Sequence, residues 1–352
     1  MKVLKNYPLK KLNTFRVDVN AKYFALVKSE EEIVNVIKNF SREKIFILGG
    51  GANVLFTGDY DGLVVRNLIS GIRVIKDTPK NIILEIGSGE NWHKLVMYAV
   101  KKNWGGIENL VYIPGTVGAA PVQNIAAYGQ NFSDVFVSLD AINLKTGEKF
   151  IFSKDDCQFE YRNSRFKLRD FGKFFITAVR IQLSKKPKLN ISYFETGKTY
   201  AKNISLLDEL KDIKKPTVKD VAFAVMKIRK KKLPEISNVG TAGSVFKNPV
   251  VSRKKYEEIK KIDPDLQCYP VENLRYTKSV EGNFVKIPAG RLLDILGWKG
   301  KRFGNVGTFP TQALAVVNYG ASPKKILEFM RMMKKVVKDN FAIELEEEIL
   351  II

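Results

Sequence analysis

The chain has 352 residues, 45% of them hydrophobic, which is enough for two or three domains with a substantial core. Its 59 lysines and arginines exceed its 37 aspartates and glutamates, which gives a formal net charge of +22. The two cysteines provide no disulfide framework or metal spacing, and the first residues lack the apolar stretch of a secretory signal, so we expect a cytoplasmic protein without membrane insertion.

The positive charge has two interpretations. One is nucleic-acid or membrane-surface binding, and the other is a lysine-rich composition spread over solvated faces. No nucleic-acid-binding motif accompanies the charge, so we favour the second interpretation and expect no nucleic-acid partner. A basic field would still attract an anionic substrate.

The first predicted unit is β-α-β. A strand over Ala21–Val27 precedes Ser29, which with Glu32 three residues later forms a capping box and predicts a helix to Phe40. The apolar run Ile45–Leu48 predicts a buried strand that leads into Gly49-Gly50-Gly51. A strand that ends in glycines can cradle a phosphate through its backbone N–H groups.

Short strands and one helix follow. Strands are predicted at 62–68, 72–75 and 81–86, and a helix at 91–103. The only histidine, His93, lies in the first turn of this helix. We interpret it as a surface or capping residue, although a flavin linked covalently through histidine is the alternative.

The uncharged stretch Ile113–Gly129, IPGTVGAAPVQNIAAYG, is the second glycine loop. It is either a tightly packed turn or a loop whose backbone approaches a ligand. In the second case the side-chain amides of Gln123 and Asn124 would form hydrogen bonds with the edge of a ring in the ligand. Two such loops about 60 residues apart favour one long ligand with a central diphosphate, held between two lobes. Strands at 141–144, 149–152 and 174–183 complete an α+β segment to about residue 185.

The rest of the chain begins with a helix capped by Thr217 and ending in the basic residues 229–232. Further elements are predicted at 256–262, 285–296 and 312–317. Ser322-Pro323 predicts the start of a helix to Asn340, followed by a strand over Phe341–Ile351. The pair Gly243-Ser244 is typical of a turn, and no histidine lies near it in sequence to support a hydrolase triad.

Motifs along the whole chain resemble those of the UDP-N-acetylenolpyruvoylglucosamine reductase family. They are NTF (13–15), ILGGGANVLF (47–56), GSGENWHKLV (87–96), GIENL (106–110), the 113–129 loop, YRNSRFK (161–167), LPEISNVGTAGSVFKNPVV (233–251) and LEEEI (345–349). They occur in the family's order and together are highly specific.

The resemblance implies an α+β fold: a two-lobed FAD-binding domain of the vanillyl-alcohol-oxidase/PCMH type and a C-terminal α+β substrate-binding domain. The expected boundaries are 1–66 with 335–352 for the first lobe, 67–215 for the second and 216–334 for the substrate domain. A monomer is expected. The family type with an extra tyrosine loop fits the 186–216 stretch, with Tyr193 as the tyrosine.

The resemblance also implies non-covalently bound FAD, with NADPH as hydride donor and no metal. The implied FAD-binding residues are Gly49, Gly50, Gly51, Ala52, Asn53, Val54, Leu55, Ile113, Pro114, Gly115, Thr116, Gly118, Ala119, Gln123, Asn124, Ala126, Ala127, Gly129 and Arg229.

The implied reaction reduces the enolpyruvyl ether of UDP-N-acetylglucosamine to UDP-N-acetylmuramate for peptidoglycan. Ser244 would donate the proton, and Arg162 and Glu348 would stabilise charge on the substrate carboxylate. Glu347 stands where the family has proline, so a slip of one residue would make Glu347 the acid. The implied substrate-binding residues are Tyr128, Tyr193, Lys232, Asn248, Tyr269, Lys286 and Gln312.

One further departure from the family pattern and two rival functions remain. Thr311 precedes Gln312 where the family often has histidine, which leaves that loop's geometry open. Another FAD-dependent oxidoreductase of the same fold would explain the glycine loops but not the pairing of Ser244 with Glu348. A basic nucleic-acid-binding protein would explain the charge but not the loops.

Overall fold

The computed structural model describes residues 2–191, 206–271 and 283–352, and Tyr193 lies outside these ranges. The strands are β1 (Val3–Pro8), β2 (Asn20–Val27), β3 (Ile45–Leu48), β4 (Val54–Leu55), β5 (Tyr60–Asn67), β6 (Ile72–Asp77), β7 (Asn81–Gly87), β8 (Ala126–Ala127), β9 (Gln130–Asn131), β10 (Phe136–Asn143), β11 (Lys149–Ser153), β12 (Phe174–Ser184), β13 (Gly240–Ser244), β14 (Val250–Ser252), β15 (Phe284–Lys286), β16 (Arg302–Phe303), β17 (Val306–Phe309), β18 (Gln312–Asn318) and β19 (Leu350–Ile351). The helices are α1 (Glu30–Asn39), α2 (Trp92–Lys101), α3 (Phe132–Val135), α4 (Lys154–Cys157), α5 (Leu206–Leu210), α6 (Val218–Lys232), α7 (Arg253–Lys260), α8 (Ala289–Ile295) and α9 (Pro323–Phe341).

The first sheet has the strand order β1-β2-β5-β3. Strand β5 pairs in parallel with both β2 and β3, and β1 joins β2 antiparallel. The predicted β-α-β unit is therefore present, with β5 inserted between its two strands. Helix α1 begins as predicted, because the Ser29 side chain accepts the Glu32 N–H.

The second sheet is antiparallel, in the order β11-β10-β12-β7-β6. Helix α2 and the second glycine loop pack on its inner face, where Trp92, Leu95 and Val117 are fully buried. The indole N–H of Trp92 donates to the Leu110 carbonyl at 2.9 Å, so the buried ring leaves no unpaired donor. This packing fixes the loop against the sheet.

The C-terminal part contains the antiparallel sheet β13-β18-β17-β16, the pair β14-β15 and helices α7 to α9. One continuous hydrophobic core holds Phe24 of β2 together with Phe329 of α9 and Val316 of β18. The first sheet and the C-terminal sheet are therefore packed into one unit by apolar burial, the dominant favourable term in folding.

The predicted strand over Phe341–Ile351 is wrong for most of its length, since only Leu350–Ile351 forms a strand. The backbone of this tail bonds to several elements in turn: Lys247 N–H donates to Glu346, Glu348 to Val245, and Leu350 to Asn53. Those partners belong to different parts of the fold, so no single ladder can form. The last two residues pair in parallel with β4 and return the chain to the first lobe.

The predicted helix starts at Thr217 and Ser322 are confirmed. The Thr217 side chain accepts the Asp220 N–H, and the Ser322 side chain accepts the Lys325 N–H with Pro323 at the first helical position. Among the described residues, no helix is both long and apolar enough to span a bilayer.

Candidate active site

The two glycine loops touch each other. A Cβ on Gly50 would lie 2.7 Å from the Gly115 Cα, and Gly115 itself has φ +129°, a conformation that side chains rarely adopt. The Asn53 Nδ2 donates to the Gln123 Oε1 at 2.5 Å, which links the loops a second time. The sequence predicted both loops, and the structure brings them together.

A first cavity of about 380 Å³ lies between the loops. Its walls are mostly backbone and apolar side chains, and Lys167 and Asp170 are the charged residues on its described lining. The walls include 13 of the predicted FAD-binding residues, Gly49, Gly50, Gly51, Ala52, Asn53, Val54, Ile113, Pro114, Gly115, Thr116, Gly118, Ala119 and Gln123. A narrow cradle that added Cβ atoms would fill suits a long ligand with a phosphate bridge, so these residues fit FAD.

A second cavity of about 450 Å³ adjoins the first. Both are lined by Ala52, Asn53, Ile113, Pro114, Gln123 and Ile125. The second cavity alone reaches Arg162, Ser244 and Glu348, the three predicted catalytic residues, together with Ala126 and Arg229. A ligand in the first cavity can therefore extend an end toward these three side chains.

Arg162 and Glu348 form an ion pair. The Arg162 Nε lies 2.9 Å from the Glu348 Oε1, and the two side chains are only 20% and 14% exposed. Arg162 also has φ +57°, a conformation that is uncommon outside glycine. Such outliers persist where the surrounding structure holds them, often at functional sites.

Three parts of the fold hold the Glu348 backbone. Its carbonyl accepts from the Lys167 Nζ at 2.7 Å and from the Asn53 Nδ2 at 3.2 Å. Its N–H donates to the Val245 carbonyl at 2.8 Å, on the residue after Ser244. The first glycine loop, the YRNSRFK segment and the serine segment therefore meet at this one residue.

The neighbouring glutamates point elsewhere. The Glu347 Oε1 accepts from the Lys334 Nζ of α9 at 2.8 Å, and the Glu346 Oε1 accepts from the Lys247 Nζ at 2.5 Å. Glu348 is the residue of this run that lines the second cavity. The geometry thus favours Glu348 over Glu347 for the predicted acid.

Ser244 ends β13, directly after Gly243 with φ +71°. The pairing of β13 with β18 is irregular between Thr241 and Ser244, so the strand bends where it meets the cavity. Gly243 allows that bend without steric cost, and Ser244 lines the cavity wall. Gly243-Ser244 can therefore be a turn, as its composition predicts, and still place Ser244 in a catalytic position.

Two of the four basic residues at the C-terminal end of α6, Arg229 and Lys232, are partly buried. Burial lowers the pKa of the Arg229 guanidinium, which lines the second cavity and donates to the Tyr112 carbonyl at 3.3 Å. Burial, with the nearby charges of Arg229 and Lys299, also lowers the pKa of the Lys232 ammonium. A cation that is partly withdrawn from water is unfavourable without a counter-charge, so this end of the helix suits an anion.

Five predicted ligand contacts lie away from both cavities. The Asn124 side chain donates to the Glu160 carbonyl and accepts the Ser133 N–H, which keeps its amide inside the second lobe. Leu55 is fully buried in the core. Tyr128, Ala127 and Gly129 form or flank the β8–β9 hairpin.

The remaining predicted substrate contacts lie in the C-terminal part. The Asn248 Oδ1 accepts the Ala289 N–H at the start of α8. Tyr269 and Lys286 exchange backbone hydrogen bonds, and the Lys286 Nζ lies 4.1 Å from the centre of the Tyr161 ring. The Gln312 Oε1 accepts the Leu314 N–H. Neither cavity is lined by any of these four residues or by Lys232.

His93 is half-buried and lines the second cavity. Its Nδ1 accepts the Tyr112 N–H at 3.2 Å, and burial together with the charge of Lys230 lowers the pKa of the imidazole. A neutral ring is required for that acceptor role. The residue therefore supports the backbone of Tyr112, which has φ +60°.

Sequence reasoning missed Lys167, which lines the first cavity, and Arg16, whose side chain donates to the carbonyls of residues 236–238. Burial and the charge of Lys247 lower the pKa of the Lys167 ammonium to about 8, against opposing effects of Glu348 and Glu346. Lys167 stands in a basic run typical of a surface, and Arg16 directly follows the NTF motif. Lys167 is also the last residue of the YRNSRFK motif, so in each case the available signal was a motif rather than the residue itself.

Two parts of the chain match family descriptions. Residues 21–152 match "FAD binding domain", and residues 235–352 match "UDP-N-acetylenolpyruvoylglucosamine reductase, C-terminal domain". The first range contains both glycine loops, and the second contains Ser244 and Glu348.

Full-length relatives carry the same name. The chain is 41% identical to the UDP-N-acetylenolpyruvoylglucosamine reductase of Flavobacterium johnsoniae and 38% identical to that of Amoebophilus asiaticus, over 100% of each pair of chains. The Pseudomonas savastanoi pv. phaseolicola reductase is 40% identical over 97% of this chain and 96% of its own.

Solved structures share the fold at low identity. The Thermus caldophilus UDP-N-acetylenolpyruvylglucosamine reductase superposes with a TM-score of 0.65 at 21% identity, covering 99% of this chain and 98% of its own. A solvent-stable cholesterol oxidase gives 0.50 at 12% identity, covering 99% and 86%. Together with the family matches, these comparisons confirm the predicted fold class, a PCMH-type FAD-binding domain with a C-terminal α+β domain.

Proposed function

This chain belongs to the UDP-N-acetylenolpyruvoylglucosamine reductase family, and from that premise we propose that Arg162, Glu348 and Ser244 perform its proton transfer and charge stabilisation. The chain is an FAD-dependent oxidoreductase that reduces the enolpyruvyl ether of UDP-N-acetylglucosamine to UDP-N-acetylmuramate, with NADPH as hydride donor, in peptidoglycan synthesis. The observation that carries the residue roles is the Arg162–Glu348 ion pair in the cavity that Ser244 also lines.

FAD, when bound, supplies the hydride that the substrate accepts at C3. The chain's own residues have three tasks. They must bind the substrate carboxylate, stabilise the negative charge that develops on it, and deliver a proton to C2.

Arg162 binds the carboxylate. A guanidinium carries five N–H donors in a planar fork, so a contact to Glu348 through Nε is compatible with a second one to the substrate. Glu348 lies beside the same charge: its carboxylate pairs with Arg162 in the resting protein, and once the substrate carboxylate supplies the counter-charge to Arg162, protonated Glu348 would donate a hydrogen bond to the enolate-like oxygen. Preorganised donors of this kind stabilise a transition state without reorganisation.

Ser244 delivers the proton. A hydroxyl is a weak acid, but the carbanion-like C2 is a strong base, so donation is feasible. Gly243 and the bend in β13 hold the serine at the cavity wall, and the Glu348–Val245 hydrogen bond sets its distance from the acid. Proton donor and charge stabilisers are thus coupled through one backbone contact.

The partly buried cations at the end of α6 support anion binding there, by Lys232 to the substrate's diphosphate and by Arg229 to FAD. Tyr193, Asn248, Tyr269, Lys286 and Gln312 remain proposed substrate contacts on the ground of the resemblance. We also propose that the protein acts as a cytoplasmic monomer and that its charge serves substrate capture rather than nucleic-acid binding. Substrate capture is supported by the net charge of +22, which attracts an anionic sugar nucleotide.

The function is tested with purified protein. We expect flavin absorbance and NADPH oxidation that requires the UDP-enolpyruvyl sugar. UDP-N-acetylglucosamine, which lacks the enolpyruvyl group, is the matched control and should support no oxidation. A colourless protein, or NADPH oxidation that consumes oxygen and ignores the sugar, would contradict the function.

A further inference from the structure

A tight turn at Asn13–Arg16 lies behind the second cavity. The Arg16 N–H donates to the Asn13 carbonyl at 3.0 Å, and Arg16 has φ +55°. The buried Asn13 side chain donates to the Leu9 and Val17 carbonyls and accepts the Val17 N–H. Left-handed backbone is unfavourable for a residue with a Cβ, so the surrounding contacts must impose it.

The turn joins the first glycine loop to the serine strand. The Thr14 N–H donates to the Gly51 carbonyl at 2.9 Å, and the Thr14 carbonyl accepts the Thr241 N–H at 2.8 Å. A Cβ on Gly240 would lie 2.3 Å from the Phe15 carbonyl oxygen, so this approach requires glycine. The turn therefore forms a base that holds the first glycine loop and the strand that carries Ser244 in a fixed relation to each other.

From this base the Arg16 side chain reaches the 233–238 loop. Its Nη2 donates to the Ile236 carbonyl at 2.7 Å and to the Ser237 carbonyl at 2.6 Å, and its Nη1 donates to the Asn238 carbonyl at 3.3 Å. Three consecutive carbonyls are thus held by one guanidinium, whose fork geometry a lysine cannot reproduce.

The clamped loop forms part of the second cavity. Residues 233–237 line it, between the basic end of α6 and the strand that carries Ser244. On the other side, the Tyr112 hydroxyl donates to the Glu235 Oε1 at 2.9 Å. Arg16 does not line either cavity, so any effect on the reaction must pass through the loop.

We propose that Arg16 is a positioning residue that fixes the 233–238 loop in the conformation that binds the UDP-sugar. The proposal rests on the proposed function, since it concerns the substrate of that same site. When a loop is no longer held, its binding-competent conformation is only partly populated, and apparent affinity falls by that fraction. The chemistry, carried by other residues, should change little.

Two variants separate positioning from stability. Arg16→Gly removes the clamp and at the same time relaxes the left-handed backbone, so its melting temperature should not fall. Arg16→Lys keeps the positive charge and the unfavourable left-handed backbone but loses the planar guanidinium that donates to three carbonyls. Arg42→Lys, at an exposed arginine in another turn, is the matched control.

We expect both Arg16 variants of the flavin-loaded enzyme to raise KM for the UDP-enolpyruvyl sugar by about tenfold, with kcat within about twofold of native and unchanged flavin content. The control should keep the native KM. A native KM in Arg16→Gly, or a KM that rises only where the melting temperature falls, would overturn the proposal. Inactivity of the native protein with this sugar would instead contradict the proposed function.

Hydrogen–deuterium exchange tests the clamp without turnover. Amides of residues 233–239 should exchange several-fold faster in both Arg16 variants than in the native protein and in Arg42→Lys. Unchanged exchange in this loop would overturn the proposal, whatever the kinetics show.

Discussion

The Arg162 Nε lies 2.9 Å from the Glu348 Oε1, and this contact joins the YRNSRFK segment to the last residues of the chain. Both groups are largely buried and lie in one cavity with Ser244. A buried pair of this kind is weak evidence for stability, because desolvation opposes the attraction. Its position beside the proposed proton donor makes it evidence for function.

The first prediction uses this pair. Glu348→Gln keeps the shape but removes the ionisable carboxyl group that pairs with Arg162, so kcat should fall by roughly 10²–10³, as for loss of one preorganised charge-stabilising group. Glu347→Gln is the matched control, because Glu347 pairs with Lys334 on α9, and it should stay near native. Steady-state NADPH oxidation measures both. Equal losses, or a larger loss at Glu347, would show that the acid is misassigned.

The register of this tail illustrates what the sequence could predict. The motif LEEEI gave Glu348 as the acid, with Glu347 as the alternative. The sequence did not reveal that Lys247 and Lys334 hold the two preceding glutamates, because those partners lie on distant elements. Local patterns also predicted a continuous strand here, whereas tertiary hydrogen bonds to several elements determine the conformation.

The glycine loops show the same limit. Their composition predicted a close backbone approach, and helix and strand positions in the flanking β-α-β unit followed from periodicity and capping. The contact between Gly50 and Gly115 depends on how two lobes pack, which no local pattern encodes. Arg16 and Lys167 were missed for a related reason: a basic residue is typical of a surface until its partners are known.

The second prediction tests the loop contact. Gly50→Ala places a Cβ 2.7 Å from the Gly115 backbone, so the loops must separate; we expect at least tenfold weaker FAD binding and a loss of about 1–3 kcal/mol of stability. Gly58→Ala is the control, because nothing lies within 4 Å of its Cβ position. Flavin titration of the apoprotein and thermal melting measure the effects. Normal FAD affinity in Gly50→Ala would show that FAD binding does not depend on the contact between Gly50 and Gly115.

The third prediction concerns pH. The pKa of the Lys167 ammonium is about 8 in the folded protein, against an ordinary value of 10.5. Between these two pH values the unfolded chain holds a proton on this side chain that the folded protein has lost, so the free energy of unfolding should rise with pH. Lys167→Met has no titrating group at this position and serves as the reference. The melting temperature of the native protein relative to Lys167→Met should therefore increase from about pH 8 to about pH 10.5 and be constant below pH 7. A melting-temperature difference that does not change with pH would show that the pKa of the Lys167 ammonium, which donates to the Glu348 carbonyl, is not lowered by burial.

The fourth prediction concerns charge. If the basic surface and the partly exposed cations at the end of α6 capture the diphosphate, KM for the UDP-sugar should rise several-fold from 50 to 500 mM salt, at roughly constant kcat, because at 0.1 M salt the attraction between exposed charges is largely screened beyond about 10 Å. Lys232→Met should raise KM at low salt and reduce its salt dependence. Lys335→Met, at an exposed lysine on α9, should do neither. A salt-independent KM would exclude electrostatic capture.

The most direct test of the central claim is stopped-flow flavin absorbance of Ser244→Ala. The variant should bind FAD and be reduced by NADPH at near the native rate, while reoxidation by the UDP-enolpyruvyl sugar slows by about 10²–10⁴, the usual contribution of general acid catalysis. Ser244→Cys, which retains a transferable proton, should recover part of that loss. Reoxidation at the native rate, or a block in flavin reduction instead, would contradict Ser244 as the proton donor.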